Sequence, residues 1–277
     1  MHQNLIRLGD DSYNVTRLKT FLNSAIKSQQ LEMHPVFDKN TERLVKHYQG
    51  TMRLSSDGVV GPKTLAVMKL DLTPTYLTDE DYDRAARALR IETAIIRAVA
   101  EVETKTEAFW VKQNYKTPIL FERHVFDRLF LKAWKSGQTL ADLTTWREKI
   151  RKSDPDICHP HAGGYGSYKD QYPKLEKAAK ISDTLACSSA SWGTFQIMGY
   201  HATNIGYHSV QAFARAMQAS QMDHLEAFMR FVRSDQSLLR AMRTKQWGTF
   251  ARAYNGPSQK GYDEKLQAAY LRLKHGT

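Results

Sequence analysis

Long apolar runs are missing from the 277-residue chain. None approaches the roughly 18 residues needed to cross a bilayer, so stable membrane insertion is not expected. The opening MHQNLIRLGDDSYNV has neither the basic leader nor the apolar stretch of an export signal. We therefore expect no signal peptide and synthesis in the cytoplasm. Cysteine is scarce: Cys158 and Cys187 could form at most one bridge, and without an export signal free thiols are expected. Strand-like alternation is absent except in TPILFERH (117–124), which excludes an extended β architecture and leaves a mostly α protein. No run of five or six basic residues occurs, although 40 Lys and Arg outnumber 29 Asp and Glu, for a net charge of +11. Scattered in this way, the excess reads as solvated helix faces. It suits a polyanionic partner (nucleic acid, a membrane surface or an anionic wall) without choosing among them.

What is present begins with an internal repeat. VFDKNTERLV (36–45) and VVGPKTLAVM (59–68) share an apolar residue, a short turn, a threonine and a helix start. Aligning Thr41 with Thr64 sets Phe37 over Val60, Asp38 over Gly61, Leu44 over Val67 and Val45 over Met68. Each threonine is expected to cap its helix. Upstream, Val15, Leu18, Phe21, Leu22 and Ile26 recur at helical spacing. Three short helices make a module spanning 1–70, and its closing DGVVGPKT resembles the three-helix peptidoglycan-binding domain. In the first half Asp38 and Lys39 stand where that family has a glycine-proline pair. LDLTPTYLT reads as a linker (71–78), and Thr78 with Asp81 as a capping pair for the helix behind it. A second domain, 79–277, follows, with a helix break expected near Arg90 and Ile91.

AVAEVETKTEAF (98–109) then sets two glutamates two positions apart at the end of an apolar run. At about 3.6 residues per turn such positions point about 200° apart, so one carboxylate at most can join the buried stripe. Ile95, Ile96, Val99 and Val102 mark that stripe, and Glu103 follows Val99 by one turn and Ile96 by two. Glu101 instead follows Arg97, its expected solvent-side partner. Burial and a position near the helix C-terminus both raise a carboxyl pKa. A carboxyl kept protonated near neutrality is what a general acid for glycosidic cleavage requires.

Two later segments supply what a sugar groove needs, namely flat apolar surface and amides that both donate and accept. SASWGTFQIMGYH (189–201) offers Ser191, Trp192, Gly193, Gln196 and Met198; ARAYNGP (251–257) offers Tyr254 and Asn255 before a Gly-Pro stop. With Glu103-Thr104, these resemble the three signature motifs of the lysozyme-like superfamily, as in soluble lytic transglycosylases and goose-type lysozymes. Threonine stands there in place of the usual serine. Across roughly 78–270 the closer resemblance is to phage endolysins of the N-acetylmuramidase family, through AVAEVE, PILFERHVF, GGYGSY, SWGTFQIMGYH and FARAYNGP. Lys105 and Thr106 replace glycines usual in that family and predict a stiffer loop after the glutamate.

The resemblance implies cleavage between N-acetylmuramic acid and N-acetylglucosamine, with Glu103 as acid. It further implies bacterial peptidoglycan as partner, no nucleic acid, no cofactor, a monomer, and delivery to the wall through another protein's membrane lesion. Glycosidases generally use two carboxylates, and Glu122, flanked by Phe121, Arg123 and His124, is the best second candidate. An ion-paired structural glutamate is the competing reading. Cys158, His159 and His161 in CHPHAGGYG lack a matching second cluster, so no metal site is expected. Gly163-Gly164-Tyr165-Gly166 reads as a mobile loop beside the groove, with Tyr165 in contact. Three alternatives remain: a lytic transglycosylase giving 1,6-anhydromuramic products, a non-catalytic wall-binding protein, and a nucleic-acid binder.

Overall fold

The computed structural model describes residues 5–26, 30–104, 116–132, 139–256 and 260–276. The expectations attached to Lys105, Thr106 and Pro257 lie outside the described residues.

The first unit contains α1 (Tyr13–Ala25), α2 (Lys39–Thr51) and α3 (Pro62–Met68). Val15, Leu18, Leu22, Phe37, Leu44, Val45, Val60 and Met68 close one core between them. The repeat has a structural basis, because Phe37 and Val60 are both fully buried, each one residue before the cap of its helix. The caps themselves are Asp38 and Gly61, not the expected Thr41 and Thr64. Asp38 accepts from the Thr41 N–H at 2.7 Å and its hydroxyl at 2.9 Å, as a charged acceptor well suited to the exposed amides of a first turn. At the second turn Pro62 fills the first helical position, where a missing N–H costs nothing. Thr64 is buried inside that helix and shares its hydroxyl with Gln49 at 3.3 Å.

The stretch read as a linker is packed. Leu72 joins the first core, the Thr75 carbonyl accepts from the Gln221 N–H at 2.9 Å, and the Leu77 N–H donates to Gln221 Oε1 at 2.8 Å. The Thr78–Asp81 capping box then opens α4 (Asp79–Leu89), which ends at Arg90 in the left-handed conformation (φ 56°). This is the expected break, and α5 (Thr93–Glu103) starts behind it. A small antiparallel sheet carries β1 (Ile119–Phe121), β2 (Ala190–Trp192) and β3 (Ile197–Met198) in that order. Ile119 pairs with Trp192, and Ser191 with Met198. The other α-helices among the described residues are α6 (Arg123–Phe130), α7 (Leu140–Ser153), α8 (Gln171–Ala179), α9 (Asp183–Ser188), α10 (Val210–Ala219), α11 (Gln221–Ser234), α12 (Gln236–Arg243), α13 (Trp247–Asn255) and α14 (Tyr262–His275). The protein is thus mostly α, with one large core in the second unit.

The two units meet through buried polar contacts. Asp10, 3% exposed, is paired with Arg215 of α10, and Asp11 with Arg230 of α11 at 2.6 Å. The Tyr13 N–H, unsatisfied within the first turn of α1, donates to Asp223 Oδ1 at 2.8 Å. A carboxylate of the second unit thereby serves the N-terminus of a helix in the first.

Candidate active site

Glu103 is the last residue of α5, and α14 packs along that helix. The stripe Ile95, Ile96, Val99 is buried as the spacing predicts. Glu103 is half-buried as a residue, and three groups crowd its carboxyl. Asn255 Nδ2 donates to Oε1 at 3.4 Å, the Tyr262 hydroxyl faces the carboxyl, and Tyr254 lies close enough to sense its charge. Burial dominates, pushing the Glu103 pKa from the ordinary 4.5 to about 7, while the bonds from Tyr262 and Asn255 pull weakly the other way. Glu101 is exposed and ion-paired to Arg272, not to Arg97. Arg97 turns instead to Asp79 and lies 4.7 Å over the Tyr82 ring.

Beside Glu103, the Thr104 hydroxyl donates to the Thr194 carbonyl. That contact ties the helix end to the turn joining β2 and β3. Gly193 in this turn has φ +74°, and a Cβ there would stand 2.8 Å from the buried His224 ring, so only glycine fits. Gln196 also takes a positive φ, 48°. Its side chain is consumed locally: Oε1 accepts from Ser191 Oγ at 2.7 Å and Nε2 donates to the Gly193 carbonyl at 2.9 Å. Gln196 and Ser191 therefore brace the turn. Tyr254 is similarly committed, its hydroxyl donating to the Phe195 carbonyl at 2.6 Å and its ring stacked 5.1 Å from Phe250. Met198 is half-buried at the end of β3.

Trp192 requires a correction. Expected to line the groove, it is 1% exposed and sits in the core against Phe213, with Nε1 donating to the Cys187 carbonyl at 3.0 Å. An indole at the centre of a covered sheet is packing, not a sugar platform.

Glu122 follows β1 at the edge of the sheet away from the 193–196 turn; its N–H bonds to the Ser189 carbonyl at 2.8 Å. The three residues of β2 separate Ser189 from Gly193, four steps of strand or on the order of 13 Å. The Glu122 carboxyl lies 3.1 Å from His124 Nδ1 and bonds the Tyr165 hydroxyl, and burial raises its pKa. The glycine loop carrying Tyr165, expected to be mobile, is tied by hydrogen bonds to α8. Lys174 Nζ donates to the carbonyls of Gly164 (2.6 Å) and Tyr165 (2.7 Å), and Gln171 Nε2 to those of Tyr165 (2.7 Å) and Ser167 (2.9 Å). Both cysteines are buried free thiols. Cys158 donates to Asp127 Oδ1 at 3.3 Å, and burial pushes its pKa up to about 12.

Residues that sequence reasoning missed are Tyr262 and His224. Tyr262 lies five residues past the end of the quoted motif; His224 sits on a helix whose sequence gives no sign of what it faces.

A helical fold with a buried glutamate at a helix end, faced by an asparagine and a tyrosine, supplies the proton donor that a glycosidase of lysozyme type requires. Residues 92–274 match the model of the N-acetylmuramidase family, and residues 5–68 match that of a putative peptidoglycan binding domain. The chain belongs to the N-acetylmuramidase family. It is also similar to the crystal structure of the Burkholderia AP3 phage endolysin, at 35% identity and TM-score 0.60, over 98% of this chain and 99% of that one. No curated protein matches the chain.

Proposed function

We propose that this protein is an endolysin that hydrolyses the bond between N-acetylmuramic acid and N-acetylglucosamine in peptidoglycan, with Glu103 as general acid. The observation that carries this is the placement of the Glu103 carboxyl at the end of α5, faced by Asn255 and Tyr262, where burial pushes its pKa up to about 7. In the reaction its proton passes to the glycosidic oxygen as that oxygen leaves, while positive charge develops at the anomeric carbon. The resulting carboxylate is received by the Asn255 amide and the Tyr262 hydroxyl, both aimed at it. Gln196, Ser191 and Gly193 set the turn that forms one wall, and Asn255 is exposed enough to touch the sugar. The first unit holds the wall, and the enzyme acts as a monomer on glycan after release from the host cytoplasm.

Glu122 is a second carboxyl whose role differs between two readings. As a base it would activate water; as an ion-paired glutamate it anchors Tyr165. The partners of Glu103 among the described residues are the Asn255 amide and the Tyr262 hydroxyl, not another carboxylate. This favours as second reading a lytic transglycosylase, in which the substrate itself closes an anhydro ring. Purified sacculi digested by the parent and by Glu103→Gln test both points. Loss of soluble fragments in a folded Glu103→Gln protein is the expected result, and near-parental clearing refutes the assignment. Mass spectrometry of the parental digest separates reducing ends from products one water lighter.

A further inference from the structure

His224 is 1% exposed, lies on α11 and takes no part in the proton transfer described above. Its two nitrogens face opposite ways. Nε2 lies 2.7 Å from the Met217 carbonyl, which can only accept, so Nε2 carries the proton. Nδ1 is then a bare acceptor, and it receives the Thr194 N–H at 3.1 Å and the Thr194 hydroxyl at 3.0 Å. That hydroxyl accepts in turn from Gln221 Nε2 at 3.2 Å. The same ring closes the space beside Gly193. Thr194 is also the residue whose carbonyl receives the Thr104 hydroxyl, one position after Glu103.

We infer that His224, as the Nε2-protonated tautomer, is a positioning residue for the cleavage reaction: it clamps Thr194, and through the Thr194–Thr104 bond it fixes the end of α5 and the direction of Glu103. The inference rests on the reading of Glu103 as the acid. A second observation agrees with the neutral ring, since burial holds the His224 pKa down to about 4. The geometry leaves little slack. Two turn residues with positive φ, Gly193 and Gln196, are kept in place from one side by Ser191 and from the other by the imidazole. Without the ring, the strained turn loses the acceptor that holds its backbone N–H.

The test compares His224→Asn, whose Oδ1 can replace Nδ1 as acceptor from Thr194, with His224→Phe, which fills the space and accepts nothing. Thr104→Val cuts the next bond while keeping shape. Steady-state kinetics on solubilised glycan strands should show kcat down by on the order of 10²-fold in His224→Phe, with KM little changed, because a misplaced acid loses rate rather than binding. Thr104→Val should lower kcat in the same sense by on the order of 10-fold, and His224→Asn should recover most of the activity. If His224→Phe fails to fold, the other two variants decide. A folded Thr104→Val or His224→Phe with parental kcat overturns the inference, as does a folded His224→Asn as slow as the Phe variant. An active Glu103→Gln would instead remove the functional reading beneath it, whatever the His224 variants show.

Discussion

Replacing Glu103 by glutamine should stabilise the protein while it abolishes catalysis, and the gain should depend on pH. Glu103 titrates near the ordinary 4.5 in the unfolded chain and at about 7 in the folded one. Between those values the folded protein holds the proton more tightly, so stability is full below about 4.5 and falls as pH rises toward 7. At about 1.36 kcal/mol per pH unit, the interval amounts to about 3 kcal/mol. Glutamine has the same shape and no charge to desolvate, so this loss disappears. Glu103→Gln should therefore match the parent at pH 4 and exceed it by up to about 3 kcal/mol at pH 8, an upper figure because the residue is only half-buried. For a cooperative unit of this size that corresponds to about 6–12 °C in Tm. Thermal unfolding by circular dichroism, parent against variant at each pH, isolates the effect because every other titrating group cancels in the difference. A variant no more stable than the parent at pH 8, or a gap that does not close toward pH 4, refutes the claim that burial strains this carboxylate.

Activity on solubilised glycan should fall as pH rises through about 7, since the acid must carry its proton; a kcat flat from pH 6 to 9 would contradict this. Arg215→Ala leaves Asp10 buried without its partner, which should cost about 3–5 kcal/mol at the contact between the units. Calorimetry should then resolve two unfolding transitions, and an unchanged thermogram counts against the ion pair as a docking element. Gly193→Ala must accommodate a Cβ 2.8 Å from His224 at φ +74°, a strain of about 1–3 kcal/mol, and should lower kcat more than KM. Parental kinetics there would show the turn to be more yielding than its packing implies. Glu122→Gln should depress activity far less than Glu103→Gln if it only anchors Tyr165; equal losses would make it the second catalytic carboxyl.

Local pattern was legible where the physics is local. The apolar spacing of α5 separated Glu103 from Glu101 without any knowledge of the fold, because facing follows from helical period alone. The Thr78–Asp81 box and the break at Arg90 were legible for the same reason. The partner of Glu101 was not. Arg97 is a turn away on the same helix, yet Asp79 and Arg272 come from other elements and win by approach geometry that no helical wheel contains. Trp192 fails in a similar way. Its neighbours in sequence fit a groove, but the register of β2 against β1 and β3 leaves it under cover, and register is a property of pairing. The caps of α2 and α3 were misread by three positions because a threonine in a first turn and a threonine before it look alike in one dimension.

With Glu103 as the proposed acid, catalytic chemistry and stability pull against each other at this site. A general acid working near neutrality needs an environment that resists its ionised form, and that same environment opposes folding once the proton leaves. The cost falls at the C-terminal end of a helix, where four carbonyls lack helical partners and fraying is easiest. An acid placed there needs an external brace. The Thr104–Thr194 bond attaches the helix end to the sheet turn, and His224 and Gln221 attach the turn to α11. Gln221 further accepts the Leu77 N–H, while its neighbour Asp223 accepts the Tyr13 N–H from the wall-binding unit. The start of α11 is thus where three parts of the chain are joined: the binding unit, the segment leading out of it and the turn beside the acid. An undocked binding unit would release groups one and two residues from those that hold Thr194. The unit that grips the wall therefore also contributes to the frame in which Glu103 is held.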